Sequence, residues 1–171
     1  MTSHVSRSTQ HTGGRMNRIE QWTKTLAESR AALLETLNGL SPEQWEQVVY
    51  GEGDQWTVST IVGHLIDGER GMSVHVHKIR KGEETLPEGF DLTRWNAGVK
   101  QRMGSVAPTD LLAGLEATRA RTLQGLSGLA EGDWERTGRH PSRGVITIEQ
   151  YYETIAGHEL MHLQHIRDSV G

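Results

Sequence analysis

Two histidines four residues apart, His158 and His162, stand in the stretch His158-Glu159-Leu160-Met161-His162 near the end of the chain. On a helix that spacing puts both imidazoles on one face, about 6 Å apart along the axis, where they can share one metal ion. The string also satisfies the His-Glu-x-x-His pattern of zinc peptidases. Such a peptidase needs a third ligand downstream, on a later helix or after a glycine turn. Leu163 to Gly171 contain His165 but no Glu and no such turn. The third ligand is therefore expected upstream, and the peptidase reading is set aside.

His64 is the best third ligand. It lies in Ile61-Val62-Gly63-His64-Leu65-Ile66, an apolar helical run where an unpaired imidazole is costly. The helix around His158 and His162 is equally apolar, with Ile155, Leu160, Met161, Leu163 and Ile166. Two buried imidazoles repel if both are protonated, and a metal removes the conflict by binding neutral rings. His165 makes 162/165 a geometric rival to 158/162, although three ligands on one helix span about 10 Å and do not easily close around one ion. His75 lies about 16 Å along the axis from His64 and cannot share its ion; with His77 it is assigned to a polar helix end. His140, in a loop beside Pro141, is a further candidate to reach the pocket.

Rigid helices must bring these residues together, and the sequence offers four long ones. Ile19, Trp22, Leu26, Leu33 and Leu37 repeat at helical spacing from about Asn17 to Asn38. Ser41-Pro42-Glu43-Gln44 is a capping box that starts a short helix with Trp45. Thr57 caps a second long helix running to about Lys81, with Gly82 past its end. Asp91 caps a shorter helix, and Pro108 and Thr109 start the third long one. Thr147-Ile148-Glu149-Gln150 is another capping box and opens the last helix, to about Ser169. Only a few positions near Val145 alternate as a strand would. The expected fold is an all-α four-helix bundle with additional short helices in the connections, and a metal site between facing helices.

Composition narrows the function. The 171 residues fit one domain, and the absence of cysteine excludes disulfides, thiolate zinc sites and a cysteine nucleophile. A net charge of −4 and pI near 6.1 argue against a nucleic-acid partner, and no apolar run is long enough for a membrane span. Residues 1–15, with His4 and His11, read as a disordered leader before a domain over 16–171, in a protein expected in the cytoplasm. Trp22, Trp45, Trp56 and Trp134 are assigned to packing, and Arg139 and Arg143 to the surface.

The run Trp56-Thr57-Val58-Ser59-Thr60-Ile61-Val62-Gly63-His64-Leu65, followed by Glu69, resembles the second-helix signature of the DinB/YfiT-like superfamily. Gly144 through Thr147, leading to His158 and His162-Leu163, resembles that family's last helix. The resemblance covers roughly Asn17 to Val170. It implies a four-helix bundle and a metal triad of His64, His158 and His162, with His165 standing where relatives often carry Gln.

Three imidazoles on a divalent ion leave open positions, as in catalytic sites. Zinc is the default, and nickel, manganese and iron also accept nitrogen ligands. The resemblance implies a small-molecule electrophile as partner and a low-molecular-weight thiol such as bacillithiol or mycothiol as cofactor, in an S-transferase or isomerase reaction. A homodimer is also implied by the family. The alternatives are a hydrolase using metal-activated water and a non-catalytic metal-binding stress-response protein. Glu69 is the candidate base, ahead of Glu159. One of Tyr151 and Tyr152 is expected to face the pocket and hydrogen-bond substrate, and Tyr152 is the candidate taken.

Overall fold

The computed structural model describes residues 16–53 and 55–171; the expected leader, with His4 and His11, lies outside them. Among the described residues, eleven short and long elements follow one another. They are helix α1 (Arg18–Asn38), helix α2 (Pro42–Trp45), strand β1 (Val48–Tyr50), strand β2 (Trp56–Thr57) and helix α3 (Val58–Lys81). Then come helix α4 (Leu92–Met103), helix α5 (Pro108–Ser127), a single 3-10 turn (Glu131–Asp133), strands β3 (Thr137–His140) and β4 (Gly144–Thr147), and helix α6 (Ile148–Val170).

Local chemistry explains the helix starts. Asn17, Ser41, Thr57 and Thr147 each accept a hydrogen bond from the backbone N–H three residues on, closing the first turns of α1, α2, α3 and α6. Pro108 opens α5 at a position that needs no N–H. Gly82 ends α3 with φ of 72°, a left-handed conformation that glycine adopts without a Cβ penalty.

Helices α1, α3, α5 and α6 form the bundle: α3 packs on α5 and α6, and α1 on α6 and α5. The core has two apolar layers. One holds Leu26, Met72, Val76, Leu126, Trp134, Tyr151, Tyr152 and Ile155. The other holds Leu33, Leu37, Ile61, Val62, Leu65, Leu115, Leu163 and Ile166. Between them lies a charged layer with one residue from each long helix: Arg30, Glu69, Arg119 and Glu159. Glu69 accepts from Arg30 Nη2 at 2.6 Å and from Arg119 Nε at 2.7 Å. Glu159 accepts from Arg30 Nε at 2.8 Å, Arg119 Nη2 at 3.1 Å and the Ser29 hydroxyl at 2.7 Å. Each arginine also donates to a backbone carbonyl, Arg30 to Leu115 and Arg119 to Leu26. Two negative and two positive charges cancel, and every guanidinium nitrogen has an acceptor, which is what lets ions persist in a core. Burial alone would lower the Arg119 pKa, but Glu69 and Glu159 outweigh it and leave it raised.

The all-α four-helix bundle is as expected, and two small antiparallel ribbons are added to it. β1 pairs with β2, and β3 pairs with β4 from Thr137↔Thr147 to His140↔Gly144. Both end at the N-cap of a long helix, Thr57 or Thr147, so each ribbon fixes how the chain enters a site-bearing helix. Among the described residues no helix is long and apolar enough to cross a membrane.

Candidate metal centre

His64 projects from the second turn of α3, and His158 and His162 from consecutive turns of α6. The Nε2 of His158 lies 3.0 Å from the Nε2 of His64 and 3.0 Å from that of His162. One ligand atom from each ring falls within 4.8 Å of the other two. Burial is the main force holding all three imidazoles neutral. It lowers His64, with Asp67 pulling the other way. It brings His158 to about 4 and His162 to about 3, with the neighbouring imidazoles adding to the effect.

Tyr50 and Trp56, one from each strand of the first ribbon, complete the surroundings. The Tyr50 hydroxyl is 3.0 Å from His162 Nδ1 and also hydrogen-bonds His165 Nδ1. His165 is thus tied to Tyr50 and stands apart from the three converging nitrogens. Trp56 meets the His64 ring edge-on at 5.5 Å between centroids. Neither Tyr50 nor Trp56 was singled out for the site from sequence, because only ribbon pairing brings them there.

The three rings open onto a cavity of about 820 Å3 along α3. Gly68 and Gly71 leave that face of α3 bare: a Cβ at Gly68 would touch the His158 ring at 3.5 Å, and at Gly71 nothing lies within 4 Å. Leu86, Pro87, Phe90 and Trp95 roof the cavity, and His75, Lys78 and His140 line its far part. Asp67 also lines it, its carboxylate accepting from Trp95 Nε1 at 2.8 Å and from Arg70 at 3.2 Å. The assignment of His75 to a polar helix end is corrected: it faces this cavity because α3 turns one face toward it from His64 to Lys78.

Two expected site residues are placed elsewhere. Both carboxylate oxygens of Glu69 are held by Arg30 and Arg119 in the charged layer, and the residue does not line the cavity, so it is not placed to act as a base on a substrate there. Glu159 is consumed in the same way. Tyr152 packs on Trp134 and lines a separate cleft with Thr122 and Gly125. It is Tyr151, one position earlier and 100° round the helix, that lies behind the cavity wall.

The sequence profile of the DinB superfamily matches residues 25–166. The chain belongs to that superfamily. It is 26% identical over 149 residues to a protein of Oceanobacillus iheyensis named a putative metal-dependent hydrolase, with 86% of this chain and 83% of that one covered. YfiT from Bacillus subtilis, described as a probable metal-dependent hydrolase with an unusual four-helix bundle topology, has a TM-score of 0.72 at 22% identity over 96% of this chain and 90% of its own. A mycothiol-dependent maleylpyruvate isomerase has a TM-score of 0.75 at 14% identity, but this chain spans only 62% of its length. The colibactin self-resistance protein ClbS, solved with double-stranded DNA, shares the fold at a TM-score of 0.70 and 16% identity over 88% of this chain and 94% of its own.

The residues of this DinB-superfamily protein fit a metal on chemical grounds. An imidazole nitrogen carries either one proton or one lone pair, so His158 Nε2 cannot make two good hydrogen bonds with two other imidazole nitrogens at once. A shared ion answers both contacts. Zinc–nitrogen bonds of about 2.0–2.1 Å in a tetrahedral site separate ligand nitrogens by about 3.3 Å, close to the spacing seen here.

Proposed function

We propose that the protein is a metal-dependent enzyme in which His64, His158 and His162 hold a divalent ion, zinc by default, and in which a low-molecular-weight thiol is transferred to, or isomerises, a small electrophile. The observation that carries this reading is the convergence of three neutral Nε2 atoms at the end of a large, mostly apolar cavity. An ion held by three imidazoles has open positions and favours the deprotonated form of a thiol or water bound there.

The chain's own residues would do the rest. With Nε2 turned to the ion, His162 carries its proton on Nδ1 and donates to the Tyr50 oxygen. Tyr50 in turn donates to His165 Nδ1. That relay fixes the ring of a ligand and its tautomer. Trp56 walls off His64, and the apolar roof keeps water from the bound electrophile. With no cysteine in the chain, the thiol must come from a cofactor.

Hydrolysis is the second reading, favoured by the name of the Oceanobacillus relative. The structure weighs against the general base expected for it, since Glu69 and Glu159 are both paired with arginines. Asp67 is the carboxylate left on the cavity wall.

Cobalt substitution tests the proposal. Titration of the cobalt protein with bacillithiol, mycothiol, glutathione and cysteine is expected to give a sulfur-to-cobalt charge-transfer band with at least one thiol, and His64→Ala is expected to lower metal stoichiometry after desalting. Unchanged stoichiometry in His64→Ala would overturn the triad. Absence of any sulfur band, together with metal-dependent ester or amide hydrolysis, would transfer the reading to the hydrolase. Silence in both assays would favour a non-catalytic metal-binding protein.

A further inference from the structure

Seven residues before His158 on α6, about 10 Å along the helix, Tyr151 anchors a second pair of imidazoles, His75 and His140. Both rings meet the Tyr151 ring edge-on, at 5.8 and 5.6 Å between centroids, and both line the cavity that begins at the triad. Hydrogen bonds fix which nitrogen of each carries the proton. His140 Nδ1 accepts from the backbone N–H groups of Ser142 at 3.2 Å and Arg143 at 3.3 Å. A backbone N–H only donates, so Nδ1 is bare and the proton of neutral His140 sits on Nε2. The Tyr151 hydroxyl donates to the Arg139 carbonyl at 2.9 Å, and it has no second proton for His75 Nδ1, 3.3 Å away. His75 Nδ1 must therefore donate to the phenol oxygen, which leaves the lone pair of His75 on Nε2.

Neither Nε2 has a partner among the described residues, and no buried side-chain nitrogen or oxygen of the described residues is left unsatisfied. Both nitrogens are therefore solvent-accessible, on two residues that line the cavity. His140 is only 8% exposed, so its unpartnered Nε2–H stands in a sheltered position. We propose that His140 Nε2–H and His75 Nε2 form a polar subsite, one donor beside one acceptor, that recognises an uncharged amide on the substrate or thiol cofactor about 10 Å from the metal. A carboxamide offers the complementary acceptor and donor on separate atoms, as two imidazoles on separate elements require. Burial holds both rings in the neutral form, His75 at about 4. The proposal rests on the metal-site reading only for which end of the ligand reacts.

The test uses the full chain labelled with 15N-histidine, as purified and after chelation. Long-range proton–nitrogen spectra are expected to show His140 protonated on Nε2 and His75 on Nδ1; the opposite tautomer at either residue overturns the proposal without any variant. N-Butylacetamide is then expected to shift both side chains saturably. His140→Phe and His75→Phe are each expected to weaken that binding by about fivefold to tenfold, the effect of one lost hydrogen bond. His64→Ala and chelation are expected to leave it unchanged, so failure of the metal site and failure of this subsite are separable. Equal binding of 2-heptanone, which lacks the N–H, overturns the assignment of His75 as acceptor. Tighter binding of hexanoate, abolished in Lys78→Met, overturns the uncharged subsite in favour of an anion site at Lys78.

Discussion

The Tyr50 hydroxyl lies 3.0 Å from His162 Nδ1, on the side of the ring away from His158. Tyr50 is the last residue of β1, held against α6 by its pairing with Trp56 on β2. A strand residue thereby controls the orientation of a helical imidazole. Partners of this kind are worth tenfold or more in metal affinity. Tyr50→Phe keeps the ring and deletes the bond, so zinc affinity by chelator competition is expected to fall about tenfold with the helical circular dichroism unchanged. His165→Gln, which can still accept from Tyr50, is expected to lose less.

Glu69 is expected to matter for stability. Glu69→Ala leaves Arg30 and Arg119 short of a counter-charge inside the core, and removing one partner of a buried pair costs about 3–5 kcal/mol. Urea unfolding is expected to show that loss, whereas any protein that still folds should keep its metal stoichiometry. A Glu69→Gln protein of wild-type stability with no turnover would restore the catalytic role that sequence suggested.

This residue also shows where sequence reading stops. The helix starts at Thr57 and Thr147 were legible because a cap and its partner are three residues apart. His64 was matched to His158 and His162 by their apolar settings together with the family resemblance, and the three rings lie together. The ion pairs of Glu69 were not legible because its partners, Arg30 and Arg119, lie 39 and 50 residues away and leave no local pattern. Tyr50 and Trp56 were missed for the same reason, since ribbons this short show almost no alternation. His75 and His140 were separable from surface histidines only once α3 and the second ribbon were placed side by side.

Acid should weaken the metal-free fold. His75 and His158 sit at about 4 and His162 at about 3, against 6.5 for free imidazole. Between those values the unfolded chain binds more protons than the folded one, so stability rises with pH there and is lost as pH falls below 6.5. Thermal melts of the chelated protein are expected to drop steadily from pH 7 to pH 4, and less steeply in His162→Asn. Saturating zinc should hold the melting temperature near pH 7 and lose its effect as acid competes for the imidazoles.

Gly138 connects the second ribbon to the cavity. A Cβ there would lie 2.6 Å from Ile79 Cγ1, 2.7 Å from Ile79 Cδ1 and 2.8 Å from Thr85 Cγ2, all closer than real contacts allow. Ile79 is buried in α3 and cannot swing clear, so an added methyl must push β3 outward. His140 is two residues further along that strand, and Thr85 donates to the Arg139 carbonyl, which also accepts from the Tyr151 hydroxyl. Gly138→Ala is therefore expected to cost about 1–3 kcal/mol in urea unfolding, the usual effect of overpacking. It should also weaken N-butylacetamide binding, because the His140 N–H moves with the ribbon. Metal stoichiometry should hold, since His64, His158 and His162 stand on α3 and α6, whose capping hydrogen bonds at Thr57 and Thr147 are made within each helix rather than with β3. Loss of amide binding and metal together would mean that the ribbon supports the whole cavity rather than its far end.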